Sequence, residues 1–386
     1  MSKLLKSFLV LALTAGSIVQ ADTVTDERLR TLAYRLTGLD PRPADMVSIR
    51  QQLGPQATDA QVAEYFTGHP DFTNIRLASF ASKLSNETAE PYEPIDDFQV
   101  AVLASIRQGL NFQSIFTQAF SLALESGTFL TATFEPAFEL GRIFQSQDEM
   151  AKGVKIVLNP AQPLYTEGLF VTDGFAKRFL SNGTNRRQIR AVFDVFLCTK
   201  IERWKDATLD PYYIGQDVSR FPGGKNDEFK DNCSSCHAPM DAMRGAWAYF
   251  TYSEQARIVQ KTSTVQEKYL LNGDVTKEIY NLFGTSDDSW ENLLIEEVQQ
   301  NYYGWRTETS GKGPRQFATM ITSARRFDEC MTMRVLQEFC ELPSEQIGQM
   351  INHPEFKRLY DGLRTSGYNM KNLISETVRS SLCEAK

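Results

Sequence analysis

The residues of this chain best suited to chemistry are Cys233, Cys236 and His237, which form a C-x-x-C-H motif within the stretch NCSSCHAPMD. This spacing is the attachment signature of c-type haem. Two thiols three residues apart on a nascent helix add across the two vinyl groups of one porphyrin, and the next residue gives its imidazole to the iron. The motif therefore predicts one covalent haem c, attached through Cys233 and Cys236, with His237 as axial ligand.

Three other interpretations of the motif compete with haem attachment. A redox-active dithiol is expected near a βαβ unit, and the sequence shows none. A zinc knuckle needs a second C-x-x-C or an H-x₃₋₅-H pair. The chain has only three histidines, His69, His237 and His353, and no second C-x-x-C. A chance occurrence of the motif in a solvent-exposed loop stays open.

The first 21 residues have the pattern of a secretory signal peptide. Lys3 and Lys6 form a basic region, an apolar region begins at Phe8, and Val19-Gln20-Ala21 resembles an A-x-A cleavage site. The apolar run is too short and too interrupted to span a membrane, and no later segment predicts a span. We expect cleavage after Ala21 and a soluble periplasmic or secreted protein. Export agrees with the motif, because attachment of c-type haem is completed outside the bacterial cytoplasm.

Four cysteines lie outside the motif, at positions 198, 330, 340 and 383. An even number of cysteines in an oxidising compartment predicts disulfides, with three possible pairings. A bond between Cys330 and Cys340 is the least favoured if one helix carries both, because ten helical residues span about 15 Å. The alternative is that some of the four stay as buried thiols.

The composition is acidic. The chain has 41 basic and 48 acidic residues, and two of the lysines lie in the signal peptide, so the mature chain carries a formal charge of −9. This balance argues against nucleic acid and anionic membrane as partners, and it favours a basic redox partner protein. Plain solubility is an equally good explanation of the charge. The sequence does not set the oligomeric state.

The hydrophobic pattern predicts a mainly α fold. A turn cluster from Asn159 to Pro163 suggests a boundary between a helical N-terminal domain, 22–160, and a cytochrome c-like helical haem-binding domain, 161–386. Short strands or extended chain are predicted at 127–134 and 153–158. The predicted helices are 26–39, 43–53, 59–66, 96–110, 114–124, 172–180, 185–204, 253–271, 289–300, 313–340, 343–351, 354–363 and 369–383.

The far face of the haem iron takes a methionine, a histidine or no protein ligand. Met240 and Met243 lie on the same short segment as His237, so a residue further along the chain reaches that face more easily. The candidates are Met320, Met331, Met333, Met350, Met370 and His353. Met320 is preferred because it follows a Gly-Pro turn inside a predicted helix, and core packing is the alternative role for each methionine. Aromatic residues that either wall the haem pocket or belong to the general core are Phe221, Trp247, Tyr249, Phe250 and Phe317.

Several stretches carry a family resemblance. CSSCHAPMDAMRGAWAYF is similar to C-x-x-C-H-x-x-[MIL]-D-P-x-G-[FW]-A, which marks uncharacterised cytochrome c-like proteins of the planctomycete and proteobacterial type. GLFVTDGFAKRFLSNGTNRRQIRAVFDVFLC and FATMITSARRFDECMTMRVLQEFC look like the regions that flank this motif in the family. YRLTGLDPRPADM resembles a companion domain. The chain departs from the pattern at Ala242, which replaces proline, and by one extra residue before Gly245.

The resemblance implies a covalent haem and electron transfer, without a known substrate. It carries over Cys233, Cys236 and His237 as haem-binding residues. It also carries over Asp241 as a partner of the turn, which either caps the next helix through backbone N–H groups or stays solvated. We therefore expect an exported monohaem c-type cytochrome that transfers one electron to and from a redox partner protein. The alternatives are a haem enzyme, either peroxidase-like or substrate-oxidising, and a docking subunit of a larger redox complex.

Overall fold

The structure is a computed structural model that describes residues 23–85, 96–127, 153–181, 186–204, 208–209, 213, 234–266, 269 and 285–384. The predicted signal peptide, Cys233 and Phe221 lie outside these ranges. Within them the chain forms fifteen α-helices and three two-stranded antiparallel sheets, which confirms the prediction of a mainly α protein.

The first helices form where local sequence signals predict them. Thr25 and Thr58 cap α1 and α3 by accepting hydrogen bonds from the backbone N–H groups of Arg28 and Gln61. Gly38 ends α1 in the left-handed region, with φ 77°. A π-helical stretch, Phe72–Leu77, leads directly into α4. The helices are α1 Asp26–Thr37, α2 Pro43–Leu53, α3 Asp59–Thr67, α4 Ala78–Ser85, α5 Asp97–Arg107 and α6 Ser114–Thr117.

The helix predicted over 114–124 is wrong beyond the single turn of α6. Strand β1, Phe120–Leu124, pairs antiparallel with β2, Val154–Leu158, and places Leu122 opposite Ile156. A short apolar run fits either a strand or a buried helix, and here pairing with a distant segment decides. The strand predicted at 153–158 is confirmed, whereas 128–134 lies outside the described residues.

The middle of the chain departs most from the prediction. The helix predicted over 185–204 ends early, because Cys198 adopts φ 47° and a 3₁₀ turn, Ile201–Trp204, follows. The helix predicted over 253–271 is wrong over 253–261, where the chain forms a hairpin whose turn places Arg257 at φ 55°, and the end of the predicted range lies mostly outside the described residues. The helix predicted over 289–300 starts late, after a short strand. The elements are α7 Asp173–Phe179, α8 Arg187–Leu197, α9 Ser234–Met243, β3 Phe250–Ser253, β4 Ile258–Lys261, β5 Ser289–Glu291, α10 Glu297–Tyr303 and β6 Ser310–Lys312.

The C-terminal helices follow the prediction closely. The long helix predicted over 313–340 is divided at Ala324, whose backbone is extended. The helices are α11 Gly313–Ser323, α12 Arg325–Phe339, α13 Ser344–Met350, α14 Pro354–Thr365 and α15 Met370–Arg379, and a 3₁₀ turn, Ser381–Cys383, ends the series. Among the described helices, none is both long and apolar enough to cross a bilayer.

One hydrophobic core extends across residue 160. Arg35 of α1 donates hydrogen bonds to the carbonyl oxygens of Val378 and Cys383, at 3.0 and 2.6 Å. Phe80 of α4 packs on Phe339 of α12, with ring centroids 6.0 Å apart. The first helices therefore lie against the last ones, and the division into domains 22–160 and 161–386 stays a prediction.

The four cysteines outside the motif form two disulfides, Cys198–Cys330 and Cys340–Cys383, with Cα–Cα distances of 5.3 and 5.1 Å. Cys330 lies within α12 and Cys340 directly follows it, so the two cannot meet, as the sequence indicated. Disulfides persist mainly in oxidising compartments. The pair of bonds therefore agrees with a location outside the cytoplasm.

Candidate functional site

The C-x-x-C-H motif ends in the first turn of α9. Cys236 and His237 are partly exposed there, whereas residues 238–243, the rest of the helix, are buried. The Cys236 Sγ lies 3.6 Å from the carbonyl oxygen of Ile201, so the 3₁₀ turn that follows α8 lies beside the thiol. The Nδ1 atom of His237 is buried. Cys236 and His237 therefore lie at the partly exposed start of α9, with the Nδ1 atom of the imidazole kept from solvent.

A buried ion pair anchors the other end of α9. Asp241, one helical turn after His237, is fully buried and forms two hydrogen bonds with Arg186. The Arg186 Nε donates to Oδ1 at 2.5 Å and Nη2 donates to Oδ2 at 2.8 Å. A buried carboxylate is tolerated only with such a partner, and the planar guanidinium matches it in two places. Arg186 directly precedes α8, so the pair fixes α9 against the start of that helix.

Both expectations for Asp241 are wrong. It does not cap the next helix, because it lies inside α9 and the following 3₁₀ turn, Arg244–Trp247, begins after Met243 without a side-chain cap. It is not solvated either, since its exposure is 0%. Its burial could not be read from the sequence, because its partner lies 55 residues upstream.

The segment after α9 is held by close packing. A Cβ at Gly245 would lie 2.0 Å from the carbonyl oxygen of Ser289 in β5, so only glycine fits there. Trp247 is fully buried, donates from Nε1 to the carbonyl oxygen of Phe170 at 3.0 Å and packs edge-on against Phe317 at 5.0 Å.

The aromatic residues expected to wall a haem pocket lie as follows. Trp247, Phe250 and Phe317 belong to the hydrophobic core, and the partly buried Tyr249 packs against it. A place in the general core was the alternative that the sequence left open for these residues. Phe221 lies outside the described residues.

Met320 is buried in α11, with 1% exposure. Its Sδ accepts a hydrogen bond from the Asn292 Nδ2 at 3.5 Å, which suits a core position. Its role as distal ligand stays a prediction. Met331, Met333 and Met370 are also buried, and Met350 packs against the core.

The two histidines outside the motif lie at helix starts and junctions. His353 is the exposed N-cap of α14, and its Nδ1 accepts a hydrogen bond from the backbone N–H of Glu355 at 3.1 Å. His69 follows α3, and its Nδ1 accepts from the backbone N–H of Asp71 at 3.3 Å. Both side chains therefore have local structural roles.

The donor set at the start of α9 fits a covalently attached haem. Covalent attachment uses thiols, and iron ligation uses an imidazole. Every cysteine outside the motif is committed to a disulfide with another such cysteine, so none competes with the motif for partners. Cys236 and His237 lie side by side at an accessible helix end. Among the described residues no group of three or more His, Cys, Asp or Glu side chains is arranged to hold a metal ion.

Comparison of the chain with protein-family models, with curated proteins and with solved structures gave no match.

A second group of ionisable side chains, which the sequence did not reveal, joins α5, α7 and the β3–β4 hairpin. The carboxylate of Asp97 accepts hydrogen bonds from the backbone N–H groups of Asp173 and Gly174, at 2.6 and 2.8 Å. Asp173 in turn accepts from the backbone N–H of Val259 at 2.7 Å. Burial, together with the nearby charges of Asp173 and Asp96, raises the pKa of Asp97 to about 7. Burial likewise raises the pKa of Asp173 to about 6.

The raised pKa of Asp97 predicts a pH dependence of stability. Between about pH 4 and pH 7 the folded chain keeps a proton on Asp97 that the unfolded chain has released. The free energy of unfolding should therefore fall as the pH rises through this window, by on the order of 2–4 kcal/mol from this group. Asp97→Asn should flatten the fall, as measured by urea unfolding at several pH values. The control is Asp40→Asn, at an exposed carboxylate, which should leave the fall of the free energy of unfolding with pH unchanged. The same dependence of that free energy on pH in wild type and Asp97→Asn would contradict the prediction.

Proposed function

We propose that the protein is an exported monohaem c-type cytochrome of the family that the sequence resembles. Cys233 and Cys236 would hold the haem and His237 would ligate the iron. The observation that carries the proposal is the position of Cys236 and His237 at the partly exposed start of α9, ahead of residues 238–243, which are buried. The two disulfides among the remaining cysteines support it, because they leave the motif to the cofactor.

The chain's own residues have distinct parts in this proposal. When bound, haem supplies one-electron chemistry at its iron. Cys236 would tether the porphyrin to the first turn of α9, and His237, the next residue, would give its imidazole to the iron. The buried pair of Asp241 and Arg186 would hold the helix so that the tethering thiol and the ligating imidazole keep one position.

The role of His237 can be tested by spectroscopy of protein exported from a host that matures c-type cytochromes. The reduced wild type should show a sharp α-band that carbon monoxide does not change. His237→Ala should lose this spectrum and bind carbon monoxide, because an axial position becomes open. The matched control is His353→Ala, which removes an exposed helix-capping histidine and should leave the spectrum unchanged. Identical spectra for His237→Ala and wild type would overturn the assignment.

The same experiment separates the alternative functions. Carbon monoxide binding or peroxide turnover by the wild type would indicate an open iron site and would favour a haem enzyme. Stable co-purification with a redox protein would favour a docking subunit.

A further inference from the structure

The start of α10 exposes an unusual run of side chains. Ile295, Glu296, Glu297 and Val298, here called the α10 patch, are all exposed. Val298 is 77% exposed and Ile295 is 46% exposed, although both are large apolar residues. Among the described residues Val298 is the most exposed large hydrophobic side chain. Neighbouring apolar and acidic side chains thus face solvent at one place.

The charge of the α10 patch is not neutralised within the part of the chain that the structure describes. Neither Glu296 nor Glu297 forms an ion pair there, and Glu308 is a further exposed acid nearby in the chain. The arginines near the other end of α10 are already paired. Arg306 contacts Asp328 at 2.8 Å, and Arg325 pairs with Glu329. The patch therefore presents negative charge around exposed apolar groups.

Aromatic rings connect the α10 patch with the motif. The Trp305 Nε1 donates to the carbonyl oxygen of Leu294, directly before the patch, at 2.7 Å. Trp305 stacks on Tyr303, with ring centroids 4.7 Å apart, and Tyr303 meets Phe193 at 5.8 Å. Phe193 packs on Trp204 at 4.6 Å.

Trp204 is the last ring of this series before the motif. It ends the 3₁₀ turn that begins at Ile201, and the carbonyl oxygen of Ile201 lies 3.6 Å from the Cys236 Sγ. The α10 patch is therefore linked to the candidate haem site by aromatic contacts from Trp305 to Trp204, and at the two ends by the backbone of Leu294 and of the 3₁₀ turn Ile201–Trp204.

We propose that the α10 patch is the docking surface for a basic electron-transfer protein, an inference that rests on the proposed function. An electron that enters at the patch would reach the motif through this packed aromatic series. Transient redox encounters bury little surface and combine a small apolar contact with complementary charge. Unpaired carboxylates around Ile295 and Val298 select a partner with a positively charged face.

The test uses a small, basic c-type cytochrome as the probe. Its association with the full, exported chain is measured at low and high salt by biolayer interferometry. Glu297→Lys should lower the association rate constant about tenfold at low salt and weaken its salt dependence. Val298→Ser should weaken binding without changing the salt dependence, because it removes only an apolar contact.

The matched control is Glu345→Lys. Glu345 is also exposed and lies in the first turn of a seven-residue helix, α13, so both substitutions make the same change at a helix start. The two helices lie at opposite ends of α12. α13 follows the end of α12, whereas the carbonyl oxygen of Asn301 in α10 accepts a hydrogen bond from Arg325 at the start of α12. Glu345→Lys should change the rate constant less than about twofold.

Three results would overturn the docking proposal. The first is that the wild type does not bind the probe at low salt, and the second is that Glu297→Lys binds it like the wild type. The third is that Glu345→Lys lowers the association rate constant as much as Glu297→Lys does. Haem content is read separately by absorbance. A chain that binds the probe through the patch but carries no haem would refute the proposed function and leave the surface assignment standing.

Discussion

Replacing Asp241 with alanine is expected to lower the free energy of unfolding by about 3–5 kcal/mol. The substitution leaves Arg186, whose side chain is 14% exposed, without the carboxylate that it contacts through two nitrogens. A guanidinium kept from water without its partner is costly, and α9 also loses its tie to the start of α8. Urea unfolding monitored by circular dichroism measures the loss.

Two further variants separate the ion pair from general damage. Asp40→Ala breaks the contact with Arg30 at 3.3 Å, where the aspartate side chain is 69% exposed, and should cost less than about 1 kcal/mol. The double variant Arg186→Met/Asp241→Leu should recover part of the loss, because neither charge stays buried alone. If Asp241→Ala proved as mild as Asp40→Ala, the ion pair would not anchor α9.

Removal of the disulfide between Cys198 and Cys330 should have an effect of similar size. The bond closes a loop of 132 residues, for which the chain-entropy description gives about 5 kcal/mol of stabilisation. The bond between Cys340 and Cys383 closes 43 residues, which gives about 4 kcal/mol. Alanine is the suitable replacement, since Cys330 and Cys383 are buried and a serine hydroxyl there would need a partner.

The matched comparison is therefore Cys198→Ala/Cys330→Ala against Cys340→Ala/Cys383→Ala, each in the exported protein. Both pairs should unfold at lower urea concentration than wild type, and the first should lose about 1 kcal/mol more. Unchanged stability in either double variant would mean that the corresponding bond does not form in the exported chain.

The sequence predicted the helices that depend on local signals. α1 and α3 have threonine caps and glycine stops in the sequence, and the helices begin and end there. Most of the strands were missed, with β2 as the exception. The β3–β4 hairpin has no Asn-Gly or Asp-Gly turn, and its turn residue Arg257 adopts φ 55° despite its Cβ. Such a turn is stabilised by its surroundings, which a local pattern does not contain.

The candidate site, too, could be predicted from the sequence only in part. The identities of Cys236 and His237 follow from spacing alone, and the nascent helix expected to carry the motif corresponds to α9, Ser234–Met243. The way in which α9 is anchored does not follow from the sequence. Asp241 looked like a cap or a surface acid because its partner, Arg186, lies far upstream. Met320 could not be separated from core methionines, since burial and helical spacing are the same for both roles.

The most direct test of the central claim is whether haem stays bound to the denatured polypeptide. The protein is exported from a maturing host, unfolded and extracted with acidic acetone, and its pyridine haemochrome spectrum is recorded against protein concentration. One haem per chain should remain with the wild type. The variant Cys233→Ala/Cys236→Ala should retain none. A colourless wild type whose two motif thiols still react with a thiol reagent would contradict the account.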